Sequence, residues 1–476
     1  METGYSILQS HNLFVECFRE SMPLVIAMIL LCLYYNKRIS IIDTLLYAFA
    51  SEAYTMLIIG PTFNATFFVG IFIFVEQVHQ LFTGRQYIRK EYLFLLILPL
   101  LSNIAVFLIT QFYKDPFSYP GGKLFAFYTK PIYFYLKTYL PWFAIGAKIV
   151  QERGQLSFEK FAGSMKKIAI ISCIIAFVQI AIQLIFHNAE LSELLGLQSR
   201  YLMEEINGPL GLRVQALFAE PKIFSAFLSL AIPLFMKDRN YKAAALIAFV
   251  GILTSSQTFW INILAGGISF LCLPKLMPLR WKIISTMSII VGVFLAITAS
   301  KEYFLKQYMA NRNQPIYRLL LERSVYRYDN EVFWGKSNII LGIPLQRDME
   351  LPVVDFLRNE PYLLISGYGA GNSTFIPPSY FFGQMNYQNR LAGIGGQNLN
   401  LRWFFILAEF GAVSLFFFFL ILTRTGPGTP PFQRSYLAFV AVCFFFSQID
   451  LFLIIVALLC AYNNGSANEN GYEQST

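Results

Sequence analysis

Arg213, Glu220 and Lys222 lie within ten residues, with Pro221 between the last two at the start of an apolar run. Arginine is a planar fork of donors that stays charged in any surroundings, so a pair of phosphate oxygens at a membrane boundary is a suitable partner for Arg213. A surface ion pair between Glu220 and Lys222, or contact of Arg213 with lipid phosphates, would use the same residues without chemistry. Arg312, Arg318, Arg323 and Arg327 form a second set near Pro315, where the sequence after the proline reads as a helix. Arg323 and Arg327 share its face, and Arg318 with Glu322 or Arg327 with Glu331 would make i,i+4 ion pairs. Such a helix either faces water, laced by those pairs, or closes over a cavity and presents guanidinium groups to a leaving diphosphate.

Lys130 and Lys137 fall seven residues apart inside an apolar run and so share a helix face. Each costs about 2.5–3.5 kcal/mol at the bilayer centre if it faces lipid. They either form a cationic wall for an anionic headgroup or snorkel to the interface. The three histidines lie outside residues 300–398, so a base there would be a carboxylate or another group. Glu220, Asp329, Glu331 and Glu409 are candidates, although Glu409 equally fits a helix contact. Tyr317, Trp334, Tyr368 and Tyr380 could stack on sugars or simply pack. No GxxxxGK loop, HExxH, GxSxG elbow or Cys/His metal spacing is present, so neither nucleotide hydrolysis nor a resident metal is expected. Gly367-Tyr-Gly-Ala-Gly371 departs from the dinucleotide fingerprint and follows no βαβ pattern.

These groups need a scaffold, and the composition says which kind. Of 476 residues, 56% are apolar and 14% charged, with 48 Phe and 27 Tyr. That excess cannot be absorbed by a soluble core, so lipid is the expected solvent. The net charge of +9 follows from basic anchors on short loops and does not require a nucleic-acid partner. The six cysteines sit in or beside apolar runs without CxxC pairing and read as buried apolar residues. No removable signal is expected at the N-terminus, which lacks a basic stretch followed by an apolar run and a small-residue cleavage site.

Runs long enough to span occur near 14–35, 39–59, 62–82, 92–112, 124–150, 165–187, 214–236, 241–255, 258–274, 281–299, 399–422 and 435–461, the last interrupted by Ser447, Gln448 and Asp450. The fold class expected is therefore an all-α polytopic membrane protein with about 12 transmembrane helices. About ten spans fall within 1–299, and a large extracytoplasmic loop over 300–398 precedes a C-terminal membrane region, 399–461. Residues 462–476 form a polar tail. Basic residues cluster at 37–38, 85–90, 153–167, 237–242, 275–282 and 424–434, which places those connections in the cytoplasm. Residues 113–123, 188–213 and 300–398 then lie outside. Gly367, Gly369 and Gly371 with Pro377 and Pro378 mark an ordered turn region in the large loop.

The run Arg213-Val-Gln-Ala-Leu-Phe-Ala-Glu220-Pro221, followed by Phe224, resembles a pattern of the O-antigen ligase and Wzy-type polysaccharide polymerase superfamily. Leu253-Thr-Ser-Ser-Gln-Thr-Phe-Trp260 is similar to its turn between two spans, with Gln257 where the family usually has arginine. Ile365-Ser-Gly-Tyr-Gly-Ala-Gly-Asn372 and Leu407-Ala-Glu-Phe-Gly411 complete the order, with Gln397-Asn398 in the place of the family's His-Asn. The resemblance covers roughly residues 205–460. It implies a GT-C-like glycosyltransferase architecture in a bacterial inner membrane, with its active site facing the periplasm or cell exterior.

The activity it implies is transfer of glycan from an undecaprenyl-diphosphate-linked oligosaccharide to an acceptor hydroxyl, inverting and without metal or cofactor. Arg213, Glu220 and the four loop arginines would be catalytic, and Lys130, Lys137, Lys222, Tyr317, Tyr368, Gln397 and Asn398 would bind substrate. Membrane lipids and a chain-length regulator are the implied partners. Departure from His-Asn favours a polymerase over an O-antigen ligase. A lipid-linked oligosaccharide transporter or flippase is the rival from another class, although the sequence lacks the two-half symmetry common in transporters.

Overall fold

The computed structural model describes residues 13–56, 63–84, 101–109, 124–152, 156–186, 189–197, 213–267, 278–299, 301–311, 314, 339–340, 343–344, 350–377, 380, 399, 402–423 and 429–446. Helices dominate: α1 Leu13–Tyr35, α2 Ile41–Ala50, α3 Ala65–Phe82, α4 Leu124–Phe134, α5 Leu140–Gln151, α6 Phe158–Ala181 and α7 Ala189–Leu194. They continue as α8 Pro221–Lys237, α9 Tyr241–Leu253, α10 Gln257–Gly267, α11 Leu279–Ala299 and α12 Lys301–Ala310. After a two-residue antiparallel ladder, β1 Ile339–Ile340 with β2 Ile343–Pro344, come α13 Glu350–Asn359, α14 Leu363–Ser366, α15 Arg402–Thr423 and α16 Pro431–Phe446.

Among the described residues, four helices are long and apolar enough to cross a membrane: Phe14–Tyr35, Ala65–Phe82, Phe158–Ala181 and Arg402–Leu420. Their outward faces carry Ile29, Val75, Ile174 and Phe416, all exposed, as hydrocarbon solvent allows and water does not. Of the other apolar runs, 281–299 gives the 21-residue α11, and the rest give shorter helices or lie partly outside the described residues. The run 39–59 is one of these, because α2 has ten residues and stops at Ala50. Ser40 opens α2 with a capping box to Asp43. At the other end the backbone of Ala53 leaves the helical path and donates to Leu217 O at 2.7 Å.

A polar network joins the last turns of three helices. Glu76 of α3 accepts from Lys148 of α5 at 2.5 Å, Tyr35 of α1 at 2.7 Å and Gln80 at 2.7 Å. Tyr34 bonds Glu152 nearby. At the start of α6, Ser164 donates to Asp43 at 2.5 Å, and Lys166 pairs with Asp238 just past the end of α8. Lys237 pairs with Glu159 and lies over the Phe432 ring of α16 at 5.3 Å. These contacts gather the ends of α1, α3, α5 and α8 with the starts of α2, α6 and α16. They are the helix ends that adjoin the basic stretches of the sequence.

The apolar core runs between these helices. Phe49, Phe218, Phe224 and Phe227 pack together within it, with the Phe218 centroid 5.1 Å from that of Phe224 and 5.0 Å from that of Phe227.

Candidate functional site

Residues 213–220 are not helical, although their composition reads as the entry to a span. A polar side chain from α6 holds their backbone, and one of their own reaches back to residue 196. Gln179 donates through Nε2 to Ala216 O at 2.8 Å and Leu195 O at 2.9 Å, and Gln215 donates to Gly196 O at 2.5 Å. Ala216 has φ +50°, a left-handed conformation that an L residue keeps only where its surroundings over-determine it. Phe218 anchors the segment in the aromatic core. α8 then begins with Glu220 as its N-cap position and Pro221 in the first turn, where the missing N–H is no loss.

Arg213 stands at the head of this segment. Its Nε donates to Thr254 O at 3.3 Å, in the turn between α9 and α10. Ser255 in that turn also has a positive φ of +50°. The bond fixes one edge of a planar guanidinium, and thereby the direction of the whole fork. Lys222 pairs with Glu220 at 2.8 Å, each side chain 30% exposed. Lys222 is therefore neutralised by Glu220 in this state.

A second arrangement forms around the glycine segment. α15 breaks at Gly411 (φ +82°), which strips the carbonyls before it of their helical partners. Tyr368 N donates to Ala408 O at 2.9 Å and Gly369 N to Glu409 O at 3.0 Å, so a distant segment supplies the missing donors. Gly371 N bonds the Glu409 carboxylate at 3.0 Å. Gly367, Gly369 and Gly371 all have positive φ. Asn372 ties the segment to α4 by donating to Phe127 O at 2.9 Å, and Ser102 donates to Ser366 O at 2.8 Å. Glu409 is 3% exposed, and the cations whose fields reach it are Arg402 and Lys130.

Lys130 and Lys137 do not meet on one wall. A π turn, Tyr135–Tyr139, lies between α4 and α5 and changes the register along the face. Lys130 lies over the Phe375 ring at 5.3 Å, beside the glycine segment, whereas Lys137 lies over Phe63 at 4.9 Å and Tyr133 at 5.5 Å. Tyr368 is 1% exposed and packs with Val353, Phe356, Leu363 and Phe404, so its ring is part of a small core. Tyr380 accepts a hydrogen bond from Asn359 at 2.8 Å. Arg312, Tyr317, Arg318, Arg323, Arg327, Trp334, Gln397 and Asn398 lie outside the described residues.

The two arrangements are linked by short steps. Leu217 bonds Ala53, Met56 N donates to Phe63 O at 3.0 Å, Phe63 meets Lys137, and Phe134 of α4 sits beside Gly371. Gln179 and Gln215 were not singled out in the sequence. Their signal is a glutamine inside an apolar run, where an amide must find a partner. Among the described residues no three His, Cys, Asp or Glu side chains converge as a metal ion would require. No protein family, curated protein or solved structure matches the chain.

Proposed function

We propose that this chain is a multi-pass glycosyltransferase of the bacterial inner membrane, with about 12 spans. In this reading it transfers glycan from a polyprenyl diphosphate carrier to the hydroxyl of a lipid-linked repeat unit outside the cytoplasm. One observation carries the reading. Segments that resemble a polymerase family only by their order along the chain are in contact as two pairs: Arg213 with the Thr254 turn, and Gly367–Gly371 with Ala408–Gly411.

The chemistry follows from what lies outside the cytoplasm. Neither ATP nor nucleotide sugars occur there, so the donor must arrive already activated on its lipid. As the acceptor hydroxyl attacks the anomeric carbon, negative charge grows on the departing diphosphate. A guanidinium held by Thr254 stabilises that charge without reorganising, most strongly where water is partly excluded. Lys222 can add to this only by exchanging Glu220 for phosphate, and Glu220, so released, can orient or deprotonate the acceptor. The loop arginines are assigned the remaining diphosphate and sugar contacts. Sidedness rests on the basic stretches, which adjoin the helix ends gathered around Glu76 and Lys237.

Transfer to a different acceptor lipid would make the protein a ligase. The break in α15 favours a third reading, a transporter, since interrupted helices commonly line transport sites. Incubating purified protein with a lipid-linked repeat unit separates the three. A product ladder supports the polymerase, a single transfer to another lipid identifies a ligase, and unchanged donor sinks the enzyme reading.

A further inference from the structure

Residues 361–376 belong to the long connection that the sequence places outside the membrane, yet they touch the interiors of apolar rods. Gly411 is the central residue of the membrane-crossing stretch Arg402–Leu420, and a Cβ on it would meet Ile365 O at 2.0 Å. Ser102, which donates to Ser366 O at 2.8 Å, is the central residue of the apolar run 92–112. Phe134 of α4 sits beside Gly371, ten residues into the rod that starts at Leu124 and so about 15 Å along it. Three rods thus place one short segment well inside their apolar lengths.

The path of the chain agrees. α13 shares a small core with Phe404, near the Arg402 end of α15, and leaves Arg358 and Asn359 exposed, as suits a position at headgroup level. Ile365 then reaches Gly411, seven residues beyond Phe404 and about 10 Å further along α15. After the glycines the chain comes back, because Asn359 donates to Tyr380 at 2.8 Å. Departure and return therefore meet at one level, with the tip at Ile365 and Gly411 between them.

Irregular backbone at membrane depth survives only where protein supplies its hydrogen bonds, and this segment meets that demand. Gly367 N donates to Leu363 O at 2.7 Å, and the amides of Tyr368, Gly369 and Gly371 are taken up by α15. Ser366 O accepts from Ser102, and Tyr368 O accepts from Asn372 at 2.9 Å. Residues 366–370 are buried. The side chain of Ile365 is not: it is 62% exposed, at a level where α15 also exposes Val413 and Phe416. A branched apolar side chain so placed continues the hydrocarbon-facing surface of the rod. We infer that residues 361–376 form a re-entrant segment, which dips into the bilayer beside α15 and returns to the same face, with Ile365 at its tip against lipid acyl chains. The inference concerns the membrane alone and holds for an enzyme or a transporter.

The test places a nitroxide on Ile365→Cys, Phe416→Cys or Arg358→Cys, each in the full chain without native cysteines, in phosphatidylcholine liposomes. Power saturation compares oxygen, which concentrates in hydrocarbon, with a nickel chelate, which stays in water. Oxygen relaxes the labels at 365 and 416 several-fold more than nickel does, and at 358 the order is reversed. A nickel preference at 365, or shielding there from both reagents, overturns the inference. The unmodified chain supplies a second measurement that decides if Ile365→Cys does not fold. An aryl diazirine dissolved in the hydrocarbon labels the peptide carrying Ile365 on illumination, and absence of label on that peptide overturns the inference equally.

Discussion

The backbone amide of Gly371 donates to the carboxylate of Glu409 at 3.0 Å, across 38 residues of sequence. A nearly buried carboxylate thus serves as the acceptor that closes a glycine turn onto a broken helix. Glu409→Ala leaves that amide without its partner and opens a void, a cost of about 1–3 kcal/mol for the lost acceptor alone. The expected result is a clearly lower Tm in detergent, with Glu409→Gln retaining most of the stability because its amide oxygen can still accept. Equal losses in the two variants would contradict this role.

Gly367 and Gly411 are each shaped by the other's neighbourhood. A Cβ on Gly367 would lie 2.4 Å from the carbonyl carbon of Glu409, and one on Gly411 would lie 2.0 Å from Ile365 O. Alanine at either position is expected to abolish accumulation of folded protein. Gly84 is the control: it also has a positive φ, +67°, but nothing stands within 4 Å of its added Cβ. Gly84→Ala then costs only the backbone conformation, about 1–2 kcal/mol. Size-exclusion profiles and yields of the three variants check the contrast.

Removing Lys148 leaves the half-buried Glu76 with the neutral donors Tyr35 and Gln80. Breaking one half of a fully buried pair costs about 3–5 kcal/mol and of a partly exposed one less, whereas replacing both halves by uncharged groups is often close to neutral. Lys148→Met is expected to unfold readily, and Lys148→Met with Glu76→Gln to recover much of the loss. A thermal double-mutant cycle measures the coupling, and additive losses would show that the pair does not act as a unit.

For the proposed transfer, Arg213→Ala is expected to lower glycan product about 100-fold or more while the protein remains inserted and abundant. Arg213→Lys restores little, because an ammonium cannot both bond Thr254 O through a side-chain edge and present a fork to diphosphate. Near-normal polymerisation by Arg213→Ala would remove its diphosphate role.

Sidedness is checked in a variant without native cysteines. Met309 and Tyr241 are both exposed, one in α12 and one at the start of α9. A cysteine at Met309 is expected to react with a membrane-impermeant reagent in spheroplasts, and a cysteine at Tyr241 only after permeabilisation. The reverse pattern would invert the proposed orientation.

The long apolar runs could be read directly: 14–35, 62–82 and 399–422 correspond to α1, α3 and α15 within a few residues, since about 20 apolar residues leave few alternatives. The run 39–59 misled, because hydropathy cannot see that Ala53 turns away to bond Leu217. Residues 213–220 misled for a related reason, as Gln179 bonds Ala216 O and the Gln215 side chain bonds Gly196 O, contacts distant in sequence that no hydropathy run contains. The glycines of 367–371 announced a turn, yet their partner at 408–411 is a tertiary choice that no local pattern encodes.

The stitched break in α15 makes the large connection something other than a free flap. Its segment around residues 368–371 is riveted to α15 through the amides of Tyr368, Gly369 and Gly371. A load applied near Asn372 therefore reaches the interior of α15 through two backbone hydrogen bonds and one to the Glu409 carboxylate, and the helix yields there only as those contacts give way.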